Sequence, residues 1–376
     1  MAEHKRTIGV GVIGTGFMGK AHALAYQAAA SLFPLSARPV LEMVADNDRA
    51  GAERAFKSFG FARMTEDWRE LVADPKIAIV CITAPTGLHH EMALAAIAAG
   101  KHVHCEKPLA ANEKDARQMV EAAEAASITT QVGFNYVKNP LLGLVREMIA
   151  GGELGEITGF RGIHAEGYMA DPETPFSWRL APAGGGVLAD LGSHIIGLAR
   201  FLLGPIAAVS ADLETVVKER PLTQGSTERR EVAVEDIARL TVRFARGAGG
   251  TIEANWVATG RTMHLACEIY GSRGALVFTQ ERMNELLFYR ADGPRSRRGF
   301  VRIEAGPEHP PYALFCPAPG HQLGFNDLKT IEAAEFLAAI AGQPAKGPDF
   351  REGWEIQKVL ETARRSAQAR TMVEVP

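Results

Sequence analysis

Short apolar runs alternate with helix-favouring stretches through the first third of the chain. Thr7 to Ile13 (TIGVGVI) reads as a buried strand and Lys20 to Ala30 as an Ala-rich helix. Val40 to Ala45 predicts the second strand, after a loop insertion over Ser31 to Arg38, and AGAERAFKSFG the next helix. Ile77 to Thr83 (IAIVCIT) is continuously apolar, as in a central parallel strand buried on both faces. A helix over His89 to Ala99, a strand at His102 to Cys105, a helix over 109–126 and a strand at Thr129 to Phe134 continue the alternation. Units of this length predict an α/β fold, a doubly wound parallel sheet of Rossmann type. Its ligand crevice lies at the carboxyl ends of the strands.

After Asn139-Pro140 the period changes. Leu141 to Ala150 reads as a short helix, and alternation with a period of two follows. Asp236 to Ala245 places Ala238, Leu240, Val242 and Phe244 on one face and Arg239, Thr241 and Arg243 on the other. Gly250 to Ala258 does the same with Ile252, Ala254 and Trp256. With Ile157 to Glu166, Ala207 to Glu214 and His264 to Tyr270, these segments predict an open, largely antiparallel sheet. Ala291 to His321, rich in Pro, Gly and Arg, reads as a long irregular segment. Helices over 323–341 and 352–368 close the chain. The expected division is a Rossmann domain over 1–135 and an α+β domain over 136–376.

Composition narrows the class. A chain of 376 residues holds two domains at about 150 residues each, with room to spare. Lys+Arg 41 against Asp+Glu 44, a net charge of -3, leaves no basic footprint for nucleic acid or anionic membrane. No apolar run approaches the ~20 residues of a membrane span, and MAEHKRT is not followed by a secretory apolar region. Cys81, Cys105, Cys267 and Cys316 are scattered without metal spacing, so free thiols in a reducing, cytoplasmic compartment and no metal are expected.

Two stretches carry candidate chemistry. Gly14-Thr-Gly16-Phe17-Met18-Gly19 follows a strand and opens a helix, the order of a dinucleotide-binding turn. Asp46, at the end of the second strand, suits the hydroxyls of an adenine ribose and repels a 2′-phosphate, which favours NAD over NADP. A turn residue or the cap of the next helix is the other reading of Asp46. Thr83, Pro85, His89, Glu106, Lys107 and Asn135 fall on the same ligand edge and are expected to contact NAD with the glycine turn. Pro108 pushes Lys107 into an extended conformation and allows a cis bond, although a turn lysine paired with Glu106 has the same letters. The second stretch, Gly184-Gly185-Gly186-Val-Leu-Ala-Asp190-Leu-Gly192-Ser193-His194, sets a carboxylate and an imidazole four residues apart, on one face of a helix. Tyr136, Lys138, His164, Glu166, Tyr168, Trp178, Arg179 and His321 are polar residues able to line a site for a ring-shaped polyol.

GTGFMG at 14–19, AGKHVHCEKPLA at 99–110 and GGGVLADLGSH at 184–194 stand in an order and spacing that resemble the Gfo/Idh/MocA oxidoreductases. This is the glucose–fructose oxidoreductase and inositol dehydrogenase family, and the resemblance covers nearly the whole chain. It implies that Lys107, Asp190 and His194 are the catalytic set, with Lys107, Tyr136, His164, Trp178, Arg179, Asp190, His194 and His321 at the substrate. It also implies a homotetramer or homodimer formed through the open sheet. AEGYMADPETPFSWR at 165–179 is similar to the same run in the L-glucose/scyllo-inositol and levoglucosan dehydrogenase subgroup, while Tyr136-Val-Lys138 stands where many members carry an Arg. The expected activity is NAD-dependent oxidation of a secondary ring hydroxyl of a cyclic polyol or pyranose. scyllo-Inositol 2-dehydrogenase or L-glucose dehydrogenase is placed first, myo-inositol beside it and levoglucosan 3-dehydrogenase as the alternative. A non-catalytic NAD-binding sensor is the reading from another class. A metal enzyme using Asp190, His194 and His164 is disfavoured by the Lys107 ammonium.

Overall fold

The computed structural model describes residues 6–376; the start of the chain read for a leader, residues 1–5, lies outside them. The chain runs β1 (Arg6–Ile13), α1 (Phe17–Leu32), β2 (Ala37–Ala45), α2 (Arg49–Phe59), β3 (Arg63–Thr65) and α3 (Trp68–Ala73). Then come β4 (Ile79–Ile82), α4 (His89–Ala98), β5 (His102–Cys105), α5 (Glu113–Ala125), β6 (Thr130–Val132) and α6 (Pro140–Ala150). β7 (Ile157–Ala165) and α7 (Ser193–Leu203) precede β8 (Ile206–Glu214), β9 (Glu219–Pro221), β10 (Arg229–Glu231), β11 (Ile237–Phe244) and β12 (Gly249–Asn255). β13 (His264–Gly271), β14 (Gly274–Thr279), β15 (Glu285–Arg290), β16 (Phe300–Glu304), α8 (Phe325–Ile340), α9 (Phe350–Ala369) and β17 (Val373–Glu374) end it.

Two compact units form: residues 1–138 with 324–355, and residues 139–323 with 356–376. The expected single boundary at 135/136 therefore becomes a discontinuous one, because α8 packs along α1 in the first unit. That unit is a six-stranded sheet in the order β3-β2-β1-β4-β5-β6, with every pairing parallel. The order reverses between β1 and β4, so the turns after Ile13 and Ile82 open side by side at the switch point. Val10, Val12, Ile79 and Cys81 of the sheet are fully buried against Tyr26 and Ala29 of α1 and Phe336 of α8. The length between the glycine turn and Asp46 is taken up by α1, which continues to Leu32, and by β2, which starts at Ala37; no eight-residue loop separates them. Asp48 caps α2 by accepting from the Ala50 and Gly51 N–H groups. α5 starts at Glu113, later than the apolar pattern suggests, because Asn112 supplies the N-cap.

The second unit holds a nine-stranded sheet, β16-β15-β14-β13-β7-β12-β11-β8-β17. Only β7 and β12 pair in parallel; the remaining neighbours are antiparallel. Ala238, Leu240, Val242, Ile252 and Ala254 are buried on one face, which α7 covers at β7 and β12. Arg239, Thr241 and Thr251 are exposed on the other. The segment 291–321 is less irregular than its composition suggests, since Phe300–Glu304 pairs with β15 as an edge strand.

Candidate active site

At the ligand edge of the first unit, Gly14 (φ +98) turns the chain out of β1. A Cβ on Gly19 would lie 2.1 Å from the Gly14 carbonyl oxygen, so only glycine lets α1 sit this close to β1. A Cβ on Gly16 would meet nothing within 4 Å, and Phe17 beside it is 68% exposed. The first turn of α1 carries no side-chain cap and no acidic residue, which leaves its N–H groups for an anionic ligand. Asp46 Oδ2 accepts from the Thr15 N–H (2.8 Å) and hydroxyl (2.6 Å), and Oδ1 from the Asp48 N–H (2.9 Å). The carboxylate is thus fixed at the rim, with lone pairs remaining for a ribose diol. Asn135 Nδ2 and Thr86 Oγ1 are buried and have no partner in the protein, which fits a ligand with polar edges. The Rossmann edge therefore fits a bound dinucleotide. Thr86 was not among the expected contacts, although it lies in the Ala84–Gly87 loop.

Several expected contacts turn out to serve the protein itself. The Thr83 hydroxyl donates to the Ile13 carbonyl (2.8 Å) and bears on Gly14, bracing the glycine turn. His89 is 1% exposed, and its ring nitrogens face the Ala84 (2.9 Å) and Pro108 (3.0 Å) carbonyls, clamping two loops together. Burial lowers its pKa. The Lys107–Pro108 bond is cis. Glu106 does not turn to the crevice: Oε1 meets His22 Nε2 (2.8 Å) and Lys329 Nζ (2.9 Å), and Oε2 accepts from the Lys107 N–H (3.3 Å). Lys329 donates on to Glu332 (2.6 Å), which meets His104 Nε2 (3.1 Å). Burial opposes ionisation of Glu106, but the Lys329 ammonium and His22 outweigh it and hold its pKa well below the ordinary carboxylate value. Burial, with His104 and Lys329, lowers His22 to about 4. His22, Cys81 and His104 place ligand atoms within 4.8 Å of one another, yet Lys329 already supplies the cation the carboxylates require. Lys138 is paired with Glu335 (2.5 Å), and Tyr136 packs edge-on to Phe325 with ring centroids 5.9 Å apart.

In the second unit the triple-glycine stretch enters a π turn, Leu188–Gly192, before α7 begins at Ser193. The expected single α-helical face is therefore interrupted between Asp190 and His194. Glu235, which no sequence pattern singled out, accepts from the Leu188 N–H at 3.0 Å. A Cβ on Gly186 (φ +93) would fall 2.3 Å from that carboxylate. Burial raises the Glu235 pKa. Asp190 Oδ2 accepts from Tyr168 OH (2.8 Å) and Arg179 Nε (3.0 Å), and the Arg179 guanidinium lies 4.5 Å from the Trp178 ring centroid. Burial, then the Asp190 charge, raises the Tyr168 pKa, so the phenol remains a donor. Tyr168, Trp178, Arg179 and Asp190 thus meet in one cluster, and His194 is 9% exposed close by in sequence. His164 is 1% exposed, with its ring nitrogens on Leu191 O and Glu166. His321 is exposed, with Nδ1 at 3.2 Å from Ala318 O within its own turn.

Residues 8–134 match the model of an oxidoreductase family with an NAD-binding Rossmann fold, and residues 143–277 match a GFO/IDH/MocA C-terminal domain. Levoglucosan dehydrogenase of Pseudarthrobacter phenanthrenivorans is 38% identical over 385 residues, covering 99% of each chain. Myo-inositol 2-dehydrogenase of Thermotoga maritima is 27% identical over 293 residues, covering 77% of this chain and 80% of that one. A solved levoglucosan dehydrogenase in complex with NADH and levoglucosan superposes with a TM-score of 0.94 at 39% identity, covering 99% of this chain and 100% of that one.

Proposed function

This chain belongs to the GFO/IDH/MocA oxidoreductase family, and from that premise we propose that it oxidises a secondary hydroxyl of an anhydrosugar of the levoglucosan type. It is an NAD-dependent sugar or polyol dehydrogenase. The observation that carries the finer reading is the end-to-end likeness to levoglucosan dehydrogenase, 38% identity over 99% of each chain, against 27% over 77% of this chain for the inositol enzyme. It moves the anhydrosugar, placed second on sequence alone, ahead of scyllo-inositol and L-glucose. Four free cysteines suit a reducing compartment such as the cytoplasm. No described helix is long and apolar enough to cross a membrane.

When bound, NAD supplies acceptance of the hydride leaving the substrate carbon. The chain must remove the hydroxyl proton at the same carbon centre. His194 in its neutral form takes that proton and passes it to water, a task suited to an imidazole near neutral pH. Lys107, on the ligand edge of the first unit, carries an ammonium of the kind that stabilises a developing alkoxide by donating a hydrogen bond. Asp190, held by Tyr168 and Arg179, keeps a fixed negative charge one turn before His194. Trp178 and Tyr168, 38% and 41% exposed, offer aromatic faces to a sugar ring. Turnover of levoglucosan with NAD, followed by nicotinamide absorbance, tests the reading; failure to reduce NAD with any cyclic polyol contradicts it.

The face of the nine-stranded sheet away from α7 holds a groove of about 1050 Å³ lined by Arg161, Arg239, Thr241, Thr251, Glu253 and Glu268. We propose it as the self-association face. Cationic and anionic side chains alternate across it, which allows pairing with a second copy.

A further inference from the structure

His164 and Glu166 take no part in the chemistry above, yet they touch the segment that carries it. His164 is the penultimate residue of β7, on its covered face. Its Nδ1 stands 3.1 Å from the Leu191 carbonyl oxygen, and its Nε2 stands 3.0 Å from Glu166 Oε1. A carbonyl oxygen only accepts, so Nδ1 carries a hydrogen and donates it to Leu191. The second contact requires either an imidazolium donating to the carboxylate or a protonated Glu166 donating to the ring.

Leu191 lies inside the π turn, between Asp190 and His194. The His164 and His194 ring centroids are 5.5 Å apart. A π turn inserts an extra residue into the helical ladder and is frequent at functional sites; the Leu191 carbonyl accepts from the Ser193 N–H as well as from His164. The brace behind His164 is rigid, because the Glu166 N–H donates to Asn255 O (2.8 Å) and its carbonyl accepts from the Ala258 N–H (2.9 Å). That anchors the Glu166 backbone to the end of β12. We propose that His164 is a positioning residue: braced by Glu166, it grips the Leu191 carbonyl, fixes the π turn and so sets the aim of Asp190 and His194. This rests on His194 being the base, and it replaces the expectation that His164 contacts the sugar.

The test uses the full chain with levoglucosan and NAD as probes and NADH fluorescence for cofactor affinity. H164L removes the grip and is expected to lower kcat about 100-fold, with KM and NADH affinity within about threefold of the parent. H164N returns an amide N–H to the Nδ1 position and is expected to recover about tenfold of that loss. Equal damage in H164N and H164L, an unchanged kcat in H164L, or a parallel loss of NADH affinity overturns the proposal. H194A, measured alongside, separates the two levels. Turnover that survives H194A sinks the reading of the site, whereas turnover lost in H194A but kept in H164L sinks only the role of His164.

Discussion

Gly16 and Gly19 stand three residues apart and are needed for different reasons. Gly19 is required by the protein itself, because its Cβ would press on the Gly14 carbonyl. G19A is therefore expected to cost about 1–3 kcal/mol of stability as well as NAD affinity. Gly16 meets nothing in the protein at its Cβ position and has an ordinary φ of -65. G16A should leave the melting temperature unchanged and weaken NAD about tenfold, since its methyl enters the space a pyrophosphate occupies. Thermal denaturation and a binding titration distinguish the two, and a matching loss of stability in both variants would contradict the assignment. At Asp46 the expected effect is on selectivity. D46N leaves an acceptor for Thr15 but removes the charge, so titrations with NAD and NADP should show a preference narrowed by about tenfold.

α8 brings Lys329 and Glu332 into the interior of the first unit, both fully buried. K329M strands two carboxylates there and is expected to destabilise by about 3–5 kcal/mol, measured by denaturant unfolding. The same cluster sets an acid limit. His22 is held neutral down to about 4 when folded but titrates near 6.5 when unfolded, so the unfolded chain binds more protons between those values. Stability is then lost as pH falls from about 6.5 towards 4. The lowered pKa values of Glu106 and Glu332 extend the loss to lower pH. Melting temperatures taken across this range should fall steadily, and H22N should flatten the upper part of the curve. Little of this is legible in the sequence. Lys329 and Glu332, three residues apart on a helix, have the spacing of a surface ion pair, and their partner Glu106 lies 223 residues from Lys329. β1 and β4 are plain from their apolar runs, and so is the glycine turn, because those signals are local. The π turn is hidden because four residues between Asp190 and His194 look the same with or without it. Glu106, His89 and His164 were expected at ligands because sequence gives residue type and strand end, whereas the partners of each side chain, Lys329 for Glu106 and loop or turn carbonyls for the two rings, are set by the fold.

At the scale of the whole molecule, α8 makes the first unit discontinuous, since residues 324–355 complete the unit begun by residues 1–138 and residues 356–376 belong to the second. The second unit leaves one sheet face uncovered by its own helices, and the chain is 40.5 kDa. Sedimentation should find a species at a multiple of that mass. T251R, which adds a further cation beside Arg161 and Arg239, should shift it towards the monomer; an unchanged mass would remove that face as the interface. The reaction is tested by reduction of NAD by levoglucosan, set beside scyllo-inositol, myo-inositol and L-glucose, with NADP in parallel. The expected result is a kcat/KM for levoglucosan at least about tenfold above the other polyols, a preference for NAD, and loss of turnover in H194A with NAD affinity retained. NADH formation from none of them, or undiminished turnover in H194A, would contradict it.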